Sequence, residues 1–354
     1  MTNIIFSRKE FEKHIKLTRD IQDKITLFGT PLESITNEEI EIEIFPNRPD
    51  LIPMHRYLKA FKSFLGKETG LKRYKLHKPE KDYRIIVDKA VKEVRPYTAC
   101  AIVKNLSLSD EQIKDIMNMQ EKLTLTVGRN RKKMAIGIYP LDKIKLPITY
   151  TAKEPKDIKY QPLGLQHELT APEILAMHST GRKYAHLLEG QKKYPMFIDT
   201  NKQILSMPPI VNSEQTGKID TSTKEVFIEC SGCDRPSLEK TLIILATALS
   251  EIGGEIYEME IHDKEKYTTP DLTTQKMRIS LDNTNKLLGL SLTEAQLAKS
   301  LQKMSHNYNK GTAEIAPWRT DILHEVDLIE DIAIAYGYNN FTPEIPTIAT
   351  AGEE

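Results

Sequence analysis

Residues 226–234 read Val-Phe-Ile-Glu-Cys-Ser-Gly-Cys-Asp. The first five of these residues are rich in β-branched and aromatic side chains, which predicts a strand over 226–230. Asp-Arg-Pro follows at 234–236, and a long apolar run over 237–252 ends at two glycines, which predicts a helix with a normal stop. A strand that leads into a long apolar helix is typical of a mixed α/β domain.

The same stretch contains a Cys-x-x-Cys pair, Cys230 and Cys233, a spacing that some metal clips and redox centres use. A structural zinc site needs four ligands, but the only other cysteine is Cys100 and no His-x-x-x-His partner occurs. A redox pair would lie at the start of a helix, whereas the predicted helix begins near Ser237. We therefore interpret the spacing as coincidental, and a zinc or redox protein is the least favoured hypothesis.

The composition excludes several classes of protein. The chain has 354 residues, which suits two or three domains, and it carries 50 basic and 50 acidic side chains. A globally basic nucleic-acid binder is therefore excluded, and any such contact must come from local patches. No apolar run approaches the roughly 20 residues that cross a membrane, and the charged N-terminus lacks a signal-peptide core. With only three cysteines, we expect a cytoplasmic protein without membrane contact.

Shifts in composition along the chain indicate several domains, and the mixture of predicted helices and strands indicates an α+β multidomain fold. We expect a small N-terminal α/β domain over 1–80, a large mixed α/β domain over 85–268 and a small winged-helix-like α/β domain over 272–346. Residues 66–84 are rich in Lys, Gly and Pro, which is typical of a linker. The clearest local signals predict strands over 39–45, 97–104 and 204–207, and helices over 11–21, 52–65, 109–123 with Ser109 as N-cap, 291–304 and 321–336.

A basic turn, Gly-Arg-Asn-Arg-Lys-Lys at 128–133, lies between β-rich runs over 124–127 and 134–139. Several cations at a chain reversal suit contact with phosphates. A solvated hairpin is the simpler interpretation, since charged turns are usually solvated. The sequence leaves both open.

A second loop, Leu-Ser-Met-Pro-Pro-Ile-Val-Asn-Ser-Glu at 205–214, carries two adjacent prolines that lock an extended backbone. Polar residues, among them Ser206 and Asn212, then lie on a stiff loop between strands, which is where binding sites are often found. A plain connection is an equally good interpretation.

The last predicted helix carries the carboxylates Asp321, Asp327, Glu330 and Asp331. On a helical wheel the apolar residues, including Val326, cluster on one side, and Asp327, Glu330 and Asp331 on the other. Three carboxylates within a turn suit a hard cation such as Mg²⁺, but they equally suit a solvated face. No Gly-rich nucleotide loop and no serine nucleophile elbow occur, so the chain shows no nucleotide site of its own.

Five motifs, taken together, identify a family. They are Phe-Pro-Asn-Arg-Pro-Asp-Leu at 45–51, KLTLTVGRNRKKMAIGIYPLDKI at 122–144, GRKYAHLLEG at 181–190, ILSMPPIVNSE at 204–214 and WRTDILHEVDLIEDIAIAYGYNNF at 318–341. In these motifs and their order, the chain resembles the β subunit of phenylalanyl-tRNA synthetase in its archaeal and eukaryotic form. The resemblance covers nearly the whole sequence.

The resemblance implies that the middle domain is an editing domain, which hydrolyses tyrosine wrongly esterified to the phenylalanine tRNA. The last domain would be the winged-helix-like one that precedes a catalytic-like module. That module docks on the catalytic α subunit in the family and is not part of this sequence. The implied complex is an ATP-binding, magnesium-dependent ligase of two α and two β subunits, and its partners are the α subunit and phenylalanine tRNA.

The resemblance also implies roles for individual residues. Family members usually carry Asp and Thr where this chain has Glu229 and Ser231, and the cysteines of that strand have no role. Asn212 would position the ester or the attacking water, and backbone amides near 210–213 would stabilise the oxyanion. The implied substrate-binding residues are Glu229, Ser231, Ser206, Phe197 and Gln120; the implied tRNA-binding residues are Arg129 and Arg131; and the implied Mg²⁺ ligands, shared with the α subunit, are Asp321, Asp327, Glu330 and Asp331.

Two hypotheses follow. In the favoured one the chain is an editing subunit that demands the tyrosine hydroxyl, since Glu229, Ser231 and Ser206 would be left unpaired by phenylalanine. In the alternative it is a non-editing module that binds tRNA and the α subunit.

Overall fold

The computed structural model describes residues 2–343, and these residues form a mixed α/β structure with four sheets. The first part of the chain is a three-stranded antiparallel sheet, in the order β1–β3–β2, packed against helices. Its elements are β1 (Thr2–Ser7), α1 (Arg8–Glu12), α2 (Arg19–Leu27), β2 (Leu32–Ile35), β3 (Glu39–Ile44) and α3 (Met54–Phe64). The alternation that predicted β3 is confirmed, because Ile40, Ile42 and Ile44 are all buried.

The helix predicted over 11–21 is wrong. α1 ends at Glu12, and α2 begins at Arg19 after Thr18, whose hydroxyl accepts a hydrogen bond from the backbone of Ile21. The apolar residues between the two helices, Ile15 and Leu17, are buried on an irregular segment. The apolar residues over 11–21 are therefore spaced as in a helix because they pack into the core, although the segment between α1 and α2 is not helical. The cap at Thr18 marks the start of α2.

The middle of the chain is built on an eleven-stranded sheet. The main path of this sheet runs β13–β12–β11–β8–β5–β15–β6–β14–β7, and β4 and β16 also pair with β15. The elements are β4 (Leu76–His77), β5 (Arg84–Val87), β6 (Tyr97–Lys104), α4 (Asp110–Leu125), β7 (Met134–Pro140), β8 (Ile148–Lys153), β9 (Lys159–Tyr160), β10 (Leu169–Thr170), α5 (Ala171–Met177), α6 (Ser179–Tyr184), β11 (Tyr194–Ile198), β12 (Ile204–Met207), β13 (Val211–Asn212), α7 (Glu214–Gly217), β14 (Val226–Gly232), α8 (Arg235–Glu251), β15 (Glu255–His262) and β16 (Lys266–Thr269). The predicted strands over 97–104 and 204–207 and the cap at Ser109 are confirmed.

β14, the strand of the opening motif, lies between β6 and β7, and all seven of its residues are buried. Val226, Ile228 and Cys230 belong to the core that also holds the apolar residues of α8. Phe227 belongs to a second core on the opposite face of the sheet. Because side chains alternate along a strand, Glu229 and Ser231 face that second core.

The two ends of the large sheet approach each other. Tyr139 near the end of β7 lies 2.8 Å, hydroxyl to Oγ, from Ser206 on β12. Arg131, just before β7, donates two hydrogen bonds to the carbonyls of Pro209 and Ile210 in the β12–β13 loop. The curled sheet therefore brings the basic turn and the double-proline loop together, although Arg131 and Pro209 are 78 residues apart in sequence.

The segment predicted to be a linker, 66–84, is bound to its neighbours. Lys72 forms an ion pair of 2.8 Å with Glu251 on α8, and Arg73 forms one of 2.7 Å with Glu314 near the C-terminus. β4 within this segment pairs with β15, so the chain joins the large sheet before residue 80. Composition alone does not distinguish a flexible linker from an irregular segment that is tied down.

The last part of the described chain is a three-stranded sheet with helices on it, in the order β17–β19–β18. Its elements are β17 (Gln275–Arg278), α9 (Leu281–Leu288), α10 (Glu294–Lys303), β18 (Asn307–Asn309), β19 (Thr312–Ile315) and α11 (Glu325–Tyr336). Residues 344–346 of the predicted third domain lie outside the described residues. Within residues 2–343, no helix combines the length and the apolar character that crossing a bilayer requires.

Candidate active site

Tyr139 contacts Ser206, Asn212 and Glu229 inside the large sheet, and Ser231 lies two residues after Glu229 on the same face of β14. We call these five polar residues the Glu229 cluster. The hydroxyl oxygen of Tyr139 is at its centre, 2.8 Å from Oγ of Ser206, 3.3 Å from Oε1 of Glu229 and 3.4 Å from Oδ1 of Asn212. Four of the five residues are buried, and Asn212 is half-buried at the edge.

Strand register positions these side chains. Glu229 on β14 pairs with Gly137 on β7, and Ser206 on β12 pairs with Asn212 on β13. Gly137 has no side chain, and a Cβ built on it would lie 2.6 Å from Oε1 of Glu229 and still closer to the Tyr139 hydroxyl. Tyr139 therefore reaches Glu229 by lying across the bare backbone of Gly137.

Glu229 is held in an apolar environment that favours its neutral form. Burial raises the pKa of its carboxyl to about 8, so the group is mostly protonated at neutral pH. Among the described residues, Oε2 of Glu229 and Oγ of Ser231 have no hydrogen-bond partner although both are buried. Such atoms are costly, and a functional site is one of the usual reasons for them.

The phenol hydroxyl of Tyr139 makes three polar contacts but can donate only one hydrogen bond. A phenol hydroxyl donates once and accepts through its lone pairs, whereas the amide oxygen of Asn212 only accepts. A protonated Glu229, or the Ser206 hydroxyl, can supply the complementary donor. The Glu229 cluster is therefore chemically matched to a phenol hydroxyl.

Asn212 lies directly beyond the double-proline loop, as predicted, and the peptide bond between Pro208 and Pro209 is cis. The backbone amides expected to form an oxyanion hole are partly in use. The amide of Ile210 donates to Met207 and that of Ser213 donates to Leu205. The oxyanion role expected for these two amides is therefore wrong in this arrangement, because a donor already paired with a carbonyl is not free for a second acceptor.

The basic turn differs from the predicted hairpin. α4 continues to Leu125, so residues 124–125 are helical and only β7 follows the turn as a strand. Arg129, Asn130 and Arg131 all have positive φ, between 47° and 66°. Arg129 is exposed, but Arg131 is partly buried against the Tyr184 ring, 4.3 Å from its centre, and holds the double-proline loop. The two arginines therefore have different surroundings.

The remaining predicted substrate residues contact strands of the large sheet rather than the polar groups of the Glu229 cluster. Phe197 on β11 pairs in register with Ser206, and its ring stacks on Tyr150 with centres 4.3 Å apart. Gln120 on α4 donates a hydrogen bond of 2.8 Å to the carbonyl of Ile136 on β7. Both residues pack against the strands that carry the cluster.

Several known proteins are similar to this chain in sequence. Residues 277–338 match the family described as the tRNA synthetase B5 domain. Proteins named phenylalanine–tRNA ligase beta subunit from Archaeoglobus fulgidus and Pyrococcus horikoshii are 39% and 41% identical to this chain over 349 and 311 residues. The alignments cover 97% and 86% of this chain but 63% and 55% of those relatives. The chain thus spans less than two thirds of their length.

A solved structure shares the architecture over almost its entire length. It is the crystal structure of an N-terminal fragment of the phenylalanyl-tRNA synthetase beta subunit from Pyrococcus horikoshii, with a TM-score of 0.90 and 36% identity, covering 95% of this chain and 99% of that one. The chain belongs to the phenylalanyl-tRNA synthetase β-subunit family. The resemblance and the mixed α/β fold class predicted from the sequence are confirmed.

The four carboxylates for which the family resemblance implied Mg²⁺ binding do not point towards a common position in this chain. Asp321 precedes α11 rather than lying on it, and Arg319 binds Asp321 and Asp331 at 2.6 Å and 2.8 Å. Asp327 accepts hydrogen bonds from the amides of Leu323 and His324 at the start of the helix. Glu330 is exposed.

The helical wheel placed Val326 on the apolar face and Asp331 on the polar face, but in the structure Val326 is exposed and Asp331 is buried. Asp331 is buried, where it contacts Arg319 and His306, and the nearby Arg319 charge holds the pKa of its carboxyl well below its usual range although burial opposes this. Val326 is 55% exposed. The ion pair with Arg319 makes the burial of Asp331 possible.

The four carboxylates in this arrangement do not fit a common Mg²⁺ site. Residues 2–343 contain no group of three or more His, Cys, Asp or Glu side chains placed to hold a metal ion. The Mg²⁺ site remains a prediction from the family resemblance, and no step of the chemistry below depends on it.

The cysteines are free thiols. Cys230 is buried on the α8 side of β14 and Cys233 is exposed after the strand ends. Burial raises the pKa of the Cys100 and Cys230 thiols well above the usual value, which disfavours the reactive thiolate.

The sequence reasoning missed Tyr139, the residue at the centre of the cluster. Gly137 and Tyr139 alternate with Ile136 and Ile138 along β7, so the pattern indicated a second face for this strand. Nothing in the sequence indicated what that face contacts.

Proposed function

We propose that this chain carries the hydrolytic editing site of a phenylalanine–tRNA ligase β subunit, which releases tyrosine wrongly esterified to phenylalanine tRNA. The proposal combines the membership of the family with the chemistry of the Glu229 cluster. One observation carries it: a phenol hydroxyl, that of Tyr139, is already bound by Ser206, Glu229 and Asn212.

The selectivity follows from the polar groups. An apolar site rejects an added hydroxyl by only about 10², so a synthetic site for phenylalanine accepts some tyrosine. A second site that must bond the hydroxyl rejects an analogue without it far more strongly, because buried polar groups are then left unpaired. Glu229 and Ser231, each with a buried atom that no described residue hydrogen-bonds, are the groups that would impose this demand.

Hydrolysis in this proposal uses water rather than a side-chain nucleophile. Asn212 is the member of the cluster at its half-buried edge, where the ester of a bound tyrosyl group would lie. Its amide would orient the ester carbonyl or the attacking water. The loop that carries it is held by the Arg131 guanidinium, so Arg131 positions the catalytic residue.

Partners of this chain are part of the proposal. Phenylalanine tRNA would approach the basic turn, where Arg129 and Lys132 are exposed and can contact phosphates. Gln120, on the helix before the turn, and Phe197 would complete the amino-acid side of the site. A catalytic α subunit, in an assembly of two α and two β chains, and a shared Mg²⁺ ion follow from the family resemblance.

The alternative function is a non-editing module that binds tRNA and the α subunit. One observation favours it: Tyr139 occupies the centre of the Glu229 cluster, where a substrate hydroxyl would bind. A deacylation assay separates the two functions.

The test is single-turnover deacylation of tyrosyl- and phenylalanyl-charged phenylalanine tRNA by the 354-residue chain, alone and with the α subunit. We expect faster release of tyrosine than of phenylalanine. Asn212→Ala should slow tyrosine release by more than about tenfold, consistent with loss of an orienting group. Asn201→Ala, at an exposed turn between β11 and β12, is the matched control and should leave the rate unchanged.

One outcome would overturn the proposed function, and another would overturn only the role of Asn212. Equal and slow release of both amino acids, with and without the α subunit, would favour the non-editing module. Selective release that Asn212→Ala leaves unchanged would remove Asn212 from its assigned role.

A further inference from the structure

The chain supplies its own phenol to the Glu229 cluster. Tyr139 is completely buried, and its ring stacks on Phe227 of the neighbouring strand with centres 5.7 Å apart. Its hydroxyl contacts Ser206 and Glu229, which the proposed function assigns to the substrate phenol, and Asn212, which it assigns to the ester or the attacking water. A second hydroxyl cannot make the same three contacts while the first is present, because the two oxygen atoms would have to occupy the same space.

We propose that Tyr139 occupies the subsite for the substrate phenol and acts as a gate, so that a tyrosyl group binds only after Tyr139 has moved out. The identity of the incoming group rests on the proposed editing function. The occupancy of the subsite by Tyr139 does not.

The place of Tyr139 in the fold suits such a movement. β7 is at one end of the sheet path, and within residues 2–343 it pairs only with β14. Tyr139 is the last residue but one of β7, before Pro140. Its side chain lies across Gly137, which has no side chain to pack against the Tyr139 ring. Releasing the end of an edge strand disrupts fewer contacts than moving a central strand.

The cluster also has bonding capacity that Tyr139 does not use. Oε2 of Glu229 and Oγ of Ser231 are buried without partners among the described residues. An incoming phenol that reached these two atoms as well as Ser206 would gain bonds that Tyr139 lacks. This difference gives a tyrosyl group a reason to displace the internal ring, while a phenylalanyl group, without a hydroxyl, would lose the bonds that Tyr139 makes.

The first experiment empties the subsite. Tyr139→Ala should create a cavity that binds p-cresol, the side chain of tyrosine, about tenfold more tightly than toluene, the side chain of phenylalanine. Binding is measured by titration calorimetry and located by crystallography. The wild-type chain and Tyr139→Phe, which keeps the ring, should bind p-cresol at the cluster at least about tenfold more weakly than Tyr139→Ala, because the internal ring must first be displaced. Tyr338→Ala, at an exposed tyrosine, is the matched control.

If Tyr139→Ala does not fold, Tyr139→Val replaces it, because a β-branched side chain suits a strand and is still much smaller than the ring. A folded variant that shows no preference for p-cresol, or wild-type protein that binds p-cresol at the cluster equally well, would overturn the assignment of the subsite.

The second experiment tests the gate with tyrosyl-charged tRNA. Tyr139→Ala should raise kcat/KM for tyrosine release by about tenfold, chiefly through a lower KM. The reason is that the substrate no longer has to displace the Tyr139 ring before it binds. Equal KM and kcat in wild type and Tyr139→Ala would overturn the gate. If neither protein releases tyrosine while Tyr139→Ala still prefers p-cresol, the editing function fails and the subsite assignment stands.

Discussion

The phenol hydroxyl of Tyr139 lies 3.3 Å from Oε1 of Glu229, and the two residues come from neighbouring strands, two positions out of register. A carboxyl group and a phenol are thus buried together on the inner face of a sheet. Because the carboxyl is mostly neutral there, the pair places no full charge in the core. The titration of Glu229 should therefore contribute to the pH dependence of the stability of the protein.

Replacing Glu229 by Gln should flatten part of the pH dependence of stability. The pKa of Glu229 is raised to about 8 in the folded chain, from 4.5. Between these values the folded state keeps a proton that the unfolded state releases, so the free energy of unfolding falls as pH rises, by up to about 1.4 kcal/mol per pH unit. Urea unfolding at about pH 5 and about pH 8 should show wild type losing stability relative to Glu229→Gln.

The matched control for this prediction is Glu189→Gln, at an exposed position. The difference in stability between this control and wild type should not change between the two pH values. A constant difference for Glu229→Gln as well would mean that the Glu229 carboxyl titrates normally.

A methyl group at Gly137 should collide with the Tyr139 phenol. Its Cβ would lie 2.6 Å from Glu229 Oε1 and closer to the Tyr139 hydroxyl, so Gly137→Ala should cost about 1–3 kcal/mol. In a Tyr139→Ala background the same change should cost at least about 1 kcal/mol less, because one of the two crowding groups is gone. Unfolding of the four proteins in urea measures this coupling, and purely additive costs would contradict it.

Arg131 should contribute to the stability of the protein and of the double-proline loop, whereas Arg129 should not. Arg131→Ala removes two hydrogen bonds to the Pro209 and Ile210 carbonyls and should cost about 2 kcal/mol in stability. Hydrogen exchange at the amides of 210–213 should accelerate at the same time. Arg129→Ala, two residues away and exposed, is the control and should leave both quantities unchanged. Equal effects of the two changes would mean that Arg131 does not hold the loop.

Arg319 should be far more important for stability than an exposed arginine. Arg319→Met leaves the buried Asp331 without its cation and should cost about 3–5 kcal/mol. Arg73→Met breaks an ion pair whose arginine is exposed and should cost less than about 1 kcal/mol. Thermal or urea unfolding of both variants measures the contrast, and similar losses would contradict it.

The ion pairs of Asp331 also give stability a second pH dependence. The folded chain holds the pKa of Asp331 below 3.8, so this contribution is present above the unfolded value and is lost as pH falls through the folded value. Its direction is opposite to that of Glu229. In Arg319→Met the loss of stability at acid pH should be smaller than in wild type, because the main cause of the low pKa has been removed.

Local patterns in the sequence determined many of the elements. The alternation of isoleucines defined β3, the bounds of β6 and β12 were predicted as observed, and Ser109 marked the start of α4. These signals succeed because strand alternation and helix capping depend on residues a few positions apart. The family motifs, read in order, identified the family to which the chain belongs.

Only the tertiary structure decided which side chains meet. Nothing near Tyr139 in the sequence indicates that the curled sheet brings it to Ser206, about 67 residues away. In the same way the helical wheel placed Asp331 on the polar face of its helix, whereas Arg319 and His306 bind it in the core. Periodicity reports whether a residue faces inwards, whereas its partner depends on strand order and on charges from distant parts of the chain.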